Sequence, residues 1–212
     1  AFAIAKKHNA NIIFLYIIEL EQGKKLKAGV KLTDSAEEIM QRAQSFAEES
    51  GIPSKSIIKI SHRISKGIFD TAIEENCNFI LMDRKKKSGF FERFFSSVVD
   101  SVLQKSTTEM AILHGEIQPG KIKNILIPYS SNIHTQLAAE ITPALSDFFN
   151  AEIRFTVVFS PGTTIVLQQK VINEINTLLA ENHIHAKIIT IVNSDILQGI
   201  LKLSAGNDLL VM

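Results

Sequence analysis

The fold is decided by the stretch HNANIIF at residues 8–14, which returns in modified form as FNAEIRF at residues 149–155. Each copy ends a helix-like segment and opens an apolar run that is rich in β-branched residues. Such a run is typical of a buried strand. The same step from helix to strand therefore occurs twice in the chain.

A second repeat lies farther along each half. GIF at residues 67–69, ahead of NFILM at 78–82, returns as GIL at 199–201, ahead of DLLVM at 208–212. A repeat unit of this length is a domain rather than a solenoid motif. The two repeats together predict two related domains.

A linker sets the boundaries of these domains. Residues 116–121, with Pro119 and Gly120 among them, separate a first domain of residues 1–115 from a second domain of residues 121–212. The first copy lacks an opening strand, and the second lacks the loop, helix and strand that would follow its fourth strand. We therefore expect two cropped copies taken from a longer chain.

Strands alternate with helices in both halves, which favours parallel sheets covered by helices on both faces. Predicted strands cover residues 11–18, 56–64, 79–82, 110–113, 124–128, 152–159, 187–192 and 209–212. Predicted helices cover residues 1–9, 66–75, 90–104, 133–149 and 195–203. Another starts within residues 33–35 and runs to about residue 50, and a further one ends near residue 182. In the helix at 66–75 we expect Ile68, Ala72 and Ile73 to face inward, and we expect residues 83–89 to form a basic loop.

Composition narrows the function classes. The 212 residues carry a formal net charge of only +1, which argues against a nucleic-acid partner bound through a general basic face. The one cysteine, Cys77, excludes an internal disulfide and fits a reducing, cytoplasmic compartment. Because Cys77 precedes an apolar run, we interpret it as a buried structural thiol. No stretch approaches the roughly 20 apolar residues that span a bilayer.

At NILIP, residues 124–128, the second half resembles the opening of a universal stress protein domain, and so do the two αβ units that follow. Residues 78–113 resemble the same family's fourth strand, nucleotide loop, last helix and fifth strand. The resemblance implies a tandem pair of Rossmann-like α/β domains of the adenine nucleotide alpha hydrolase-like type. It also implies ATP or another adenine nucleotide as the candidate ligand.

Two stretches resemble one subset of the family more closely: SVVDSVL at residues 97–103 and ILIPYSSNIH at residues 125–134. This subset comprises tandem modules at the cytoplasmic ends of amino-acid permeases and cation antiporters. The resemblance implies a non-catalytic regulatory module on the cytosolic face of an inner-membrane transporter, with the membrane domain as its partner. The alternative is a free-standing soluble family member that binds ATP as a homodimer; in either case the two domains could pair pseudo-symmetrically.

Nucleotide-binding members of this family carry the loop G-x-x-G-x(9)-G-[ST] after the fourth strand. Its glycines let backbone N–H groups close around phosphates. The matching positions hold Asp83, Lys86, Ser96 and Ser97, followed by Val98, so all three glycines are replaced. Asp83 would repel phosphate and the neighbouring lysines would attract it, but lysines do not restore the backbone geometry. We therefore do not expect this copy to bind a nucleotide.

In the second copy the candidate ligand residues follow the first strand. They are Pro128, Tyr129, Ser130, Ser131 and Asn132. The family usually has an aspartate here that holds adenosine, whereas Tyr129 or Ser130 occupies the place and accepts hydrogen bonds less strongly. The same turn could bind an anion or simply cap the next helix, and the two roles are compatible.

Other unusual residues favour ordinary structural roles. RKKK at residues 84–87, followed by Phe90, Phe91, Phe94 and Phe95, could rest on an anionic membrane. The spacing of Phe91, Phe94 or Phe95, Val98 and Val102 instead favours an inward helix stripe, with the lysines in solvent. His134 could touch a ligand or serve as a surface polar group, and His183 and His185 lack partners at metal-ligand spacing. We find no Ser-His-Asp order and no Walker-type loop, so we do not expect an enzyme.

Overall fold

Parallel strands alternate with helices in a computed structural model that describes residues 1–21, 23, 34–84, 98, 101–102, 108–115 and 117–212. The chain divides into two units, Ala1–Glu116 (unit 1) and Ile117–Met212 (unit 2). All described strand pairings are parallel. Parallel neighbours need crossover connections, which helices supply. The predicted α/β class with parallel sheets is confirmed.

Unit 1 contains two described strand pairs. Its elements are α1 (Phe2–His8), β1 (Ile12–Glu19), α2 (Asp34–Glu49), β2 (Ser54–Ser61), α3 (Ile64–Glu74), β3 (Phe79–Arg84) and β4 (Glu109–His114). β1 pairs with β2, and β3 pairs with β4. Val98 and Val102 are helical and buried, which agrees with an inward stripe over residues 90–104. The phenylalanines of that stripe lie outside the described residues.

Unit 2 contains one four-stranded sheet. Its elements are β5 (Asn124–Pro128), α4 (Ile133–Phe149), β6 (Glu152–Phe159), α5 (Ile165–Glu181), β7 (Ala186–Val192), α6 (Ile196–Ser204) and β8 (Leu209–Leu210). The strand order is β7-β6-β5-β8. β5 therefore lies inside the sheet, with Ile125 opposite Ile153 on one side and Leu209 on the other.

The main core of unit 2 lies between one face of β6 and the helices α4 and α5. Phe155 of β6 and Ile175 of α5 are fully buried, and Ala139 of α4 lets that helix approach the sheet. Burying a large apolar side chain stabilises a fold by about 1.5–3 kcal/mol. This packing fixes the positions of α4 and α5 beside the carboxyl end of β5.

The first sequence repeat marks the end of a helix in each unit. Asn9 ends α1 with φ 49° and Asn150 ends α4 with φ 50°, both in the left-handed region that asparagine tolerates better than most residues. The next N–H then donates back into the helix, from Ala10 to the Ala5 carbonyl and from Ala151 to the Ser146 carbonyl. In both units the chain turns at once into a strand.

The second repeat is a close contact between a helix and a strand. A Cβ added to Gly67 of α3 would lie 2.7 Å from Ile17 Cδ1, and one added to Gly199 of α6 would lie 2.7 Å from Val158 Cγ1. Glycine lets the helix backbone come this near to the sheet. Gly67 with Ile17 in unit 1 thus corresponds to Gly199 with Val158 in unit 2.

Several predicted details are wrong. β2 covers Ser54–Ser61 rather than residues 56–64, and α3 accordingly begins at Ile64. Ile73 is 58% exposed, because the inward face of α3 runs through Gly67, Thr71 and Ala72. Ile73, the position after Ala72, therefore points outward.

Strand ends differ from the prediction as well. Asp83 belongs to β3, where it pairs with Leu113, rather than to a loop. β8 is limited to Leu209–Leu210. The predicted linker contains a 3₁₀ turn at Pro119–Lys121, and Ile122 directly after it is buried.

Candidate functional site

The candidate site of unit 2 begins where β5 ends. Pro128 pairs with Thr156 of β6, and the Tyr129 N–H donates to the Thr156 carbonyl at 2.8 Å. The sheet thus holds the backbone through Tyr129. Ser130, Ser131 and Asn132 then form a turn that leads into α4.

Hydrogen bonds within this turn centre on Thr135, a buried residue in the first turn of α4. Its Oγ1 accepts from the Ser130 N–H at 3.0 Å and lies 3.1 Å from Ser130 Oγ. Its own N–H donates to Asn132 Oδ1 at 3.2 Å, so Asn132 is the N-cap of α4. The capping role predicted for the Ser-Ser-Asn turn is therefore present at Asn132.

These contacts occupy several donors that an anion would need. The N–H groups of Ser130 and Thr135 bind side chains of the turn, and the Asn132 N–H donates to the Ser130 carbonyl at 2.7 Å. A phosphate at a helix start is normally held by free backbone N–H groups. This turn therefore offers fewer donors to an anion than its position suggests.

A cleft of about 260 Å³ opens beside the turn. One wall is the turn and the start of α4, and the other is α5. The lining residues are Tyr129, Ser130, Ser131, Asn132, Thr135, Gln136, Glu174, Thr177, Leu178 and Glu181. Across the cleft the Tyr129 hydroxyl donates to Glu174 Oε2 at 3.2 Å.

The polar groups of the cleft are hydroxyls, amides and carboxylates. Glu174 and Glu181 are the only charged side chains among its lining residues. Carboxylates attract hydroxyl and amine donors and repel phosphate. The arrangement is suited to a neutral polar group or a cation.

The other predicted ligand residues lie in unit 1. Asp83 is exposed on β3, and Val98 is buried and helical. Lys86, Ser96 and Ser97 lie outside the described residues, as does most of the predicted basic loop. The structure thus brings Tyr129, Ser130, Ser131 and Asn132 together around one cleft, while the loop after β3 stays a prediction.

Sequence reasoning missed six of the ten residues that line this cleft, among them Thr135 and Glu174. Thr135 follows Asn132 at the spacing of a capped helix start, so the sequence contained a signal for it. Glu174 lies 45 residues after Tyr129, and no local pattern links them. Their contact depends on how α4 and α5 pack on β6.

Two carboxylates near the amino ends of strands, those of Asp208 and Glu152, have a structural role. The backbone N–H groups of Lys123 and Asn124 each donate to Asp208 Oδ2 at 2.9 Å, which lowers the pKa of Asp208. Hydrogen bonds from Lys187 and then Arg154 lower the pKa of Glu152. Both groups therefore stay ionised and tie the strands together.

The remaining reactive side chains have ordinary environments. Cys77 is partly rather than fully buried, and burial, followed by the nearby charge of Glu75, raises the pKa of its thiol. A raised pKa disfavours the nucleophilic thiolate. His183 and His185 are exposed, and no metal-binding group of His, Cys, Asp or Glu occurs among the described residues.

The comparison with family models decides the family. Residues 1–114, more than half of the chain, match the model of the universal stress protein family. The chain belongs to this family. A comparison with curated proteins found no match. In the part of this universal stress protein that the structure describes, every helix is too short or too polar to cross a membrane.

Solved structures show the same fold. A universal stress protein from Archaeoglobus fulgidus DSM 4304 is similar over 96% of this chain and 75% of its own, with TM-score 0.65 and 20% identity. A candidate universal stress protein from Pseudomonas aeruginosa UCBPP-PA14 is similar over 98% and 72%, with TM-score 0.61 and 14% identity. At identities this low the likeness concerns the fold alone.

Proposed function

We propose that this universal stress protein chain is a non-catalytic tandem module that binds a small ligand and regulates a secondary transporter, either an amino-acid permease or a cation antiporter. The observation that carries the ligand-binding role is the cleft beside the Tyr129–Asn132 turn. It lies at the carboxyl end of a parallel strand, where α/β sheets generally bind ligands. The transporter link rests on the resemblance of residues 97–103 and 125–134.

The tandem arrangement is supported by matched pairs of structural positions. Asn9 and Asn150 stop equivalent helices, and Gly67 and Gly199 contact equivalent strands. In both units the asparagine stands between a helix and a strand, and the glycine lies in a later helix that contacts the same strand. Two copies of one domain explain these pairs more simply than independent origins do.

The proposed ligand is an adenine nucleotide whose adenosine part enters the cleft. Hydroxyl and amide groups there can bind a ribose and an amino group, whereas Glu174 and Glu181 oppose phosphate. The phosphates would then lie away from α5. A ligand that binds one arrangement of the module more tightly than another shifts the population toward it, which is the means of regulation.

The non-catalytic character is supported by what surrounds the cleft. Its ten lining residues include no histidine, cysteine or lysine. A base paired with an activated nucleophile is the usual requirement for group transfer without a metal. We therefore assign a binding role to the cleft.

Calorimetry with ATP, ADP, AMP and cyclic di-AMP tests the ligand. Ser131→Tyr places a bulky ring at the cleft, and the Ser131 side chain makes no hydrogen bond within the described residues that this change would remove. Ser194→Tyr makes the same change at another exposed serine. We expect binding heat that Ser131→Tyr abolishes and Ser194→Tyr retains. No heat with any of the four would overturn nucleotide binding, and ATP-dependent dimers in sedimentation would favour the free-standing alternative.

Cell fractionation tests the transporter link. An antibody against this chain should detect the native protein in the membrane fraction, and alkaline carbonate should not release it. Release by carbonate, or recovery in the soluble fraction, would contradict attachment to a transporter and would leave the ligand-binding proposal standing.

A further inference from the structure

Three consecutive apolar residues at the start of α5 are exposed to solvent. Ile165 is 83% exposed, Val166 81% and Leu167 50%. The turn at residues 160–164 that precedes them is uncharged, and Thr164 caps the helix by accepting from the Leu167 N–H at 3.3 Å. We call Ile165, Val166 and Leu167 the apolar tip of unit 2.

The fold does not require apolar residues at these positions. α2 and α5 end alike, because a buried isoleucine after each helix donates its N–H to the helix carbonyl five positions earlier, at Ile52 in unit 1 and Ile184 in unit 2. Counted back from these isoleucines by the same number of positions, Val166 corresponds to Asp34. Asp34 is charged and exposed, so a polar residue is compatible with this place in the fold.

The apolar tip lacks charge at a place where helices often carry it. Acidic residues stabilise the positive end of a helix dipole, and α2 has Asp34 and Glu37 in its first turn, whereas α5 has no acid there. No charged residue occurs from Phe155 to Gln169, and the first one after that is Lys170. The start of α5 can therefore leave water without desolvating a charge.

Val192 extends this apolar surface from a neighbouring strand. It is the last residue of β7, pairs with Phe159 at the end of β6 and is 60% exposed. Side chains alternate along a strand, so Val192 lies on the same face of the sheet as Ile188, which packs against the core that α5 covers. The next acid in the chain is Asp195, whose carboxylate is occupied as the N-cap of α6. Four aliphatic side chains are thus exposed at one end of this face.

These properties fit lipid better than a protein partner. Consecutive residues of a helix point about 100° apart, so the side chains of the apolar tip spread around the first turn of α5 and do not form one stripe. Protein interfaces depend mainly on aromatic and arginine anchors, and the apolar tip has neither. Hydrocarbon chains, in contrast, adapt to side chains that point in several directions.

We propose that the apolar tip inserts into the interface of a lipid bilayer, with the start of α5 directed at the membrane. The first N–H groups of a helix have no partner within it, and hydrocarbon offers none. The helix end therefore stays among the headgroups, while the apolar side chains reach the acyl chains and the Lys170 ammonium remains beside the phosphates. This peripheral contact depends on neither the ligand nor the transporter proposed above, and alkaline carbonate would release it.

Co-sedimentation of the 212-residue chain with phosphatidylcholine vesicles tests this contact. We expect binding that the double change Ile165→Ser and Val166→Ser weakens by about tenfold or more, because two large apolar side chains no longer leave water. Phe148→Ser is the matched control and should bind as the unchanged chain does, since Phe148 is 57% exposed but lies at the other end of the sheet, just before β6. Raising the salt from about 0.1 M to about 1 M should not release the chain, because salt screens charges only.

A fluorescent probe locates the contact. The chain has no tryptophan, so Val166→Trp and Phe148→Trp each introduce a single one. We expect lipids with brominated acyl chains to quench the first variant and not the second.

Four results would overturn the inference: no sedimentation with vesicles, equal binding by the double serine variant, release by salt, or equal quenching of the two tryptophan variants. Dimers that form without lipid and that the serine changes abolish would also overturn it, and would identify a second copy of the chain as the partner of the apolar tip. None of these results bears on nucleotide binding at the Tyr129–Asn132 turn, so the two proposals fail independently.

Discussion

The Tyr129 hydroxyl donates a hydrogen bond to Glu174 Oε2, 3.2 Å away, and thereby connects the end of β5 to the middle of α5. Both side chains are partly buried. The contact links the two walls of the candidate cleft and joins two elements that are distant in sequence.

We expect Tyr129→Phe to lower the free energy of unfolding by about 1.5–3 kcal/mol, the usual range for a hydrogen bond to a charged group. The ring and its packing remain, so the hydroxyl alone is tested. Urea unfolding followed by far-ultraviolet circular dichroism measures the change. Tyr16→Phe is the control, because the Tyr16 hydroxyl has no partner within the described residues. Equal losses in the two variants would contradict a specific role for the Tyr129–Glu174 contact.

We expect Gly199→Ala to destabilise unit 2 by about 1–3 kcal/mol through overpacking. The new methyl would lie 2.7 Å from Val158 Cγ1 and 2.9 Å from Val158 Cγ2. Gly206→Ala is the control, since its nearest neighbour is the Leu203 carbonyl oxygen at 3.9 Å. Adding Val158→Ala to Gly199→Ala should recover part of the loss in a thermal melt. A double variant no more stable than the single one would argue against this contact as the cause.

We expect Asn132→Ala to cost about 1 kcal/mol, because it removes the side chain that caps α4. Asn132→Ser should retain most of the stability, since serine accepts the same N–H. Hydrogen exchange in the first turn of α4 measures the effect locally and denaturant unfolding measures it globally. If the alanine and serine variants were equally stable, the hydrogen bond from the Thr135 N–H to the Asn132 side chain would not contribute to the stability of α4.

Stability should fall with acid as Asp208 takes up a proton. Backbone hydrogen bonds hold the pKa of Asp208 below its ordinary value of 3.8. A lowered folded-state pKa gives stability that is present above the unfolded value and is lost as pH falls through the folded value. The urea concentration at the unfolding midpoint, measured from about pH 7 to about pH 2, should therefore fall below about pH 4. The fall should be smaller in Asp208→Asn. The same dependence of stability on pH in both proteins would exclude Asp208 as the cause of the loss in acid.

Local signals in the sequence predicted the elements of unit 2 well. The predicted bounds of α4 and β6 are those observed, because Asn132 caps the helix and Asn150 stops it. Hydrophobic periodicity was weaker for α3, where small residues face inward. The periodicity of α3 therefore predicts the wrong side of the helix for Ile73, which is exposed.

Tertiary contacts were beyond the reach of these signals. The turn Tyr129–Asn132 could be identified because it follows a strand, but the opposite wall of its cleft comes from α5. Nothing in the spacing of Glu174 or Glu181 indicates which helix they will meet. The acidic character of the cleft is visible only once α5 is packed opposite the turn.

The matched asparagine and glycine pairs also locate where the two units differ in length. Gly67 follows Asn9 by 58 positions, whereas Gly199 follows Asn150 by 49. Residues 20–33 separate β1 from α2, but only residues 160–164 separate β6 from α5, and this one connection contains the whole length difference. The two units therefore differ in length at the carboxyl end of a strand, whereas the helix stop and the glycine contact keep equivalent places in both.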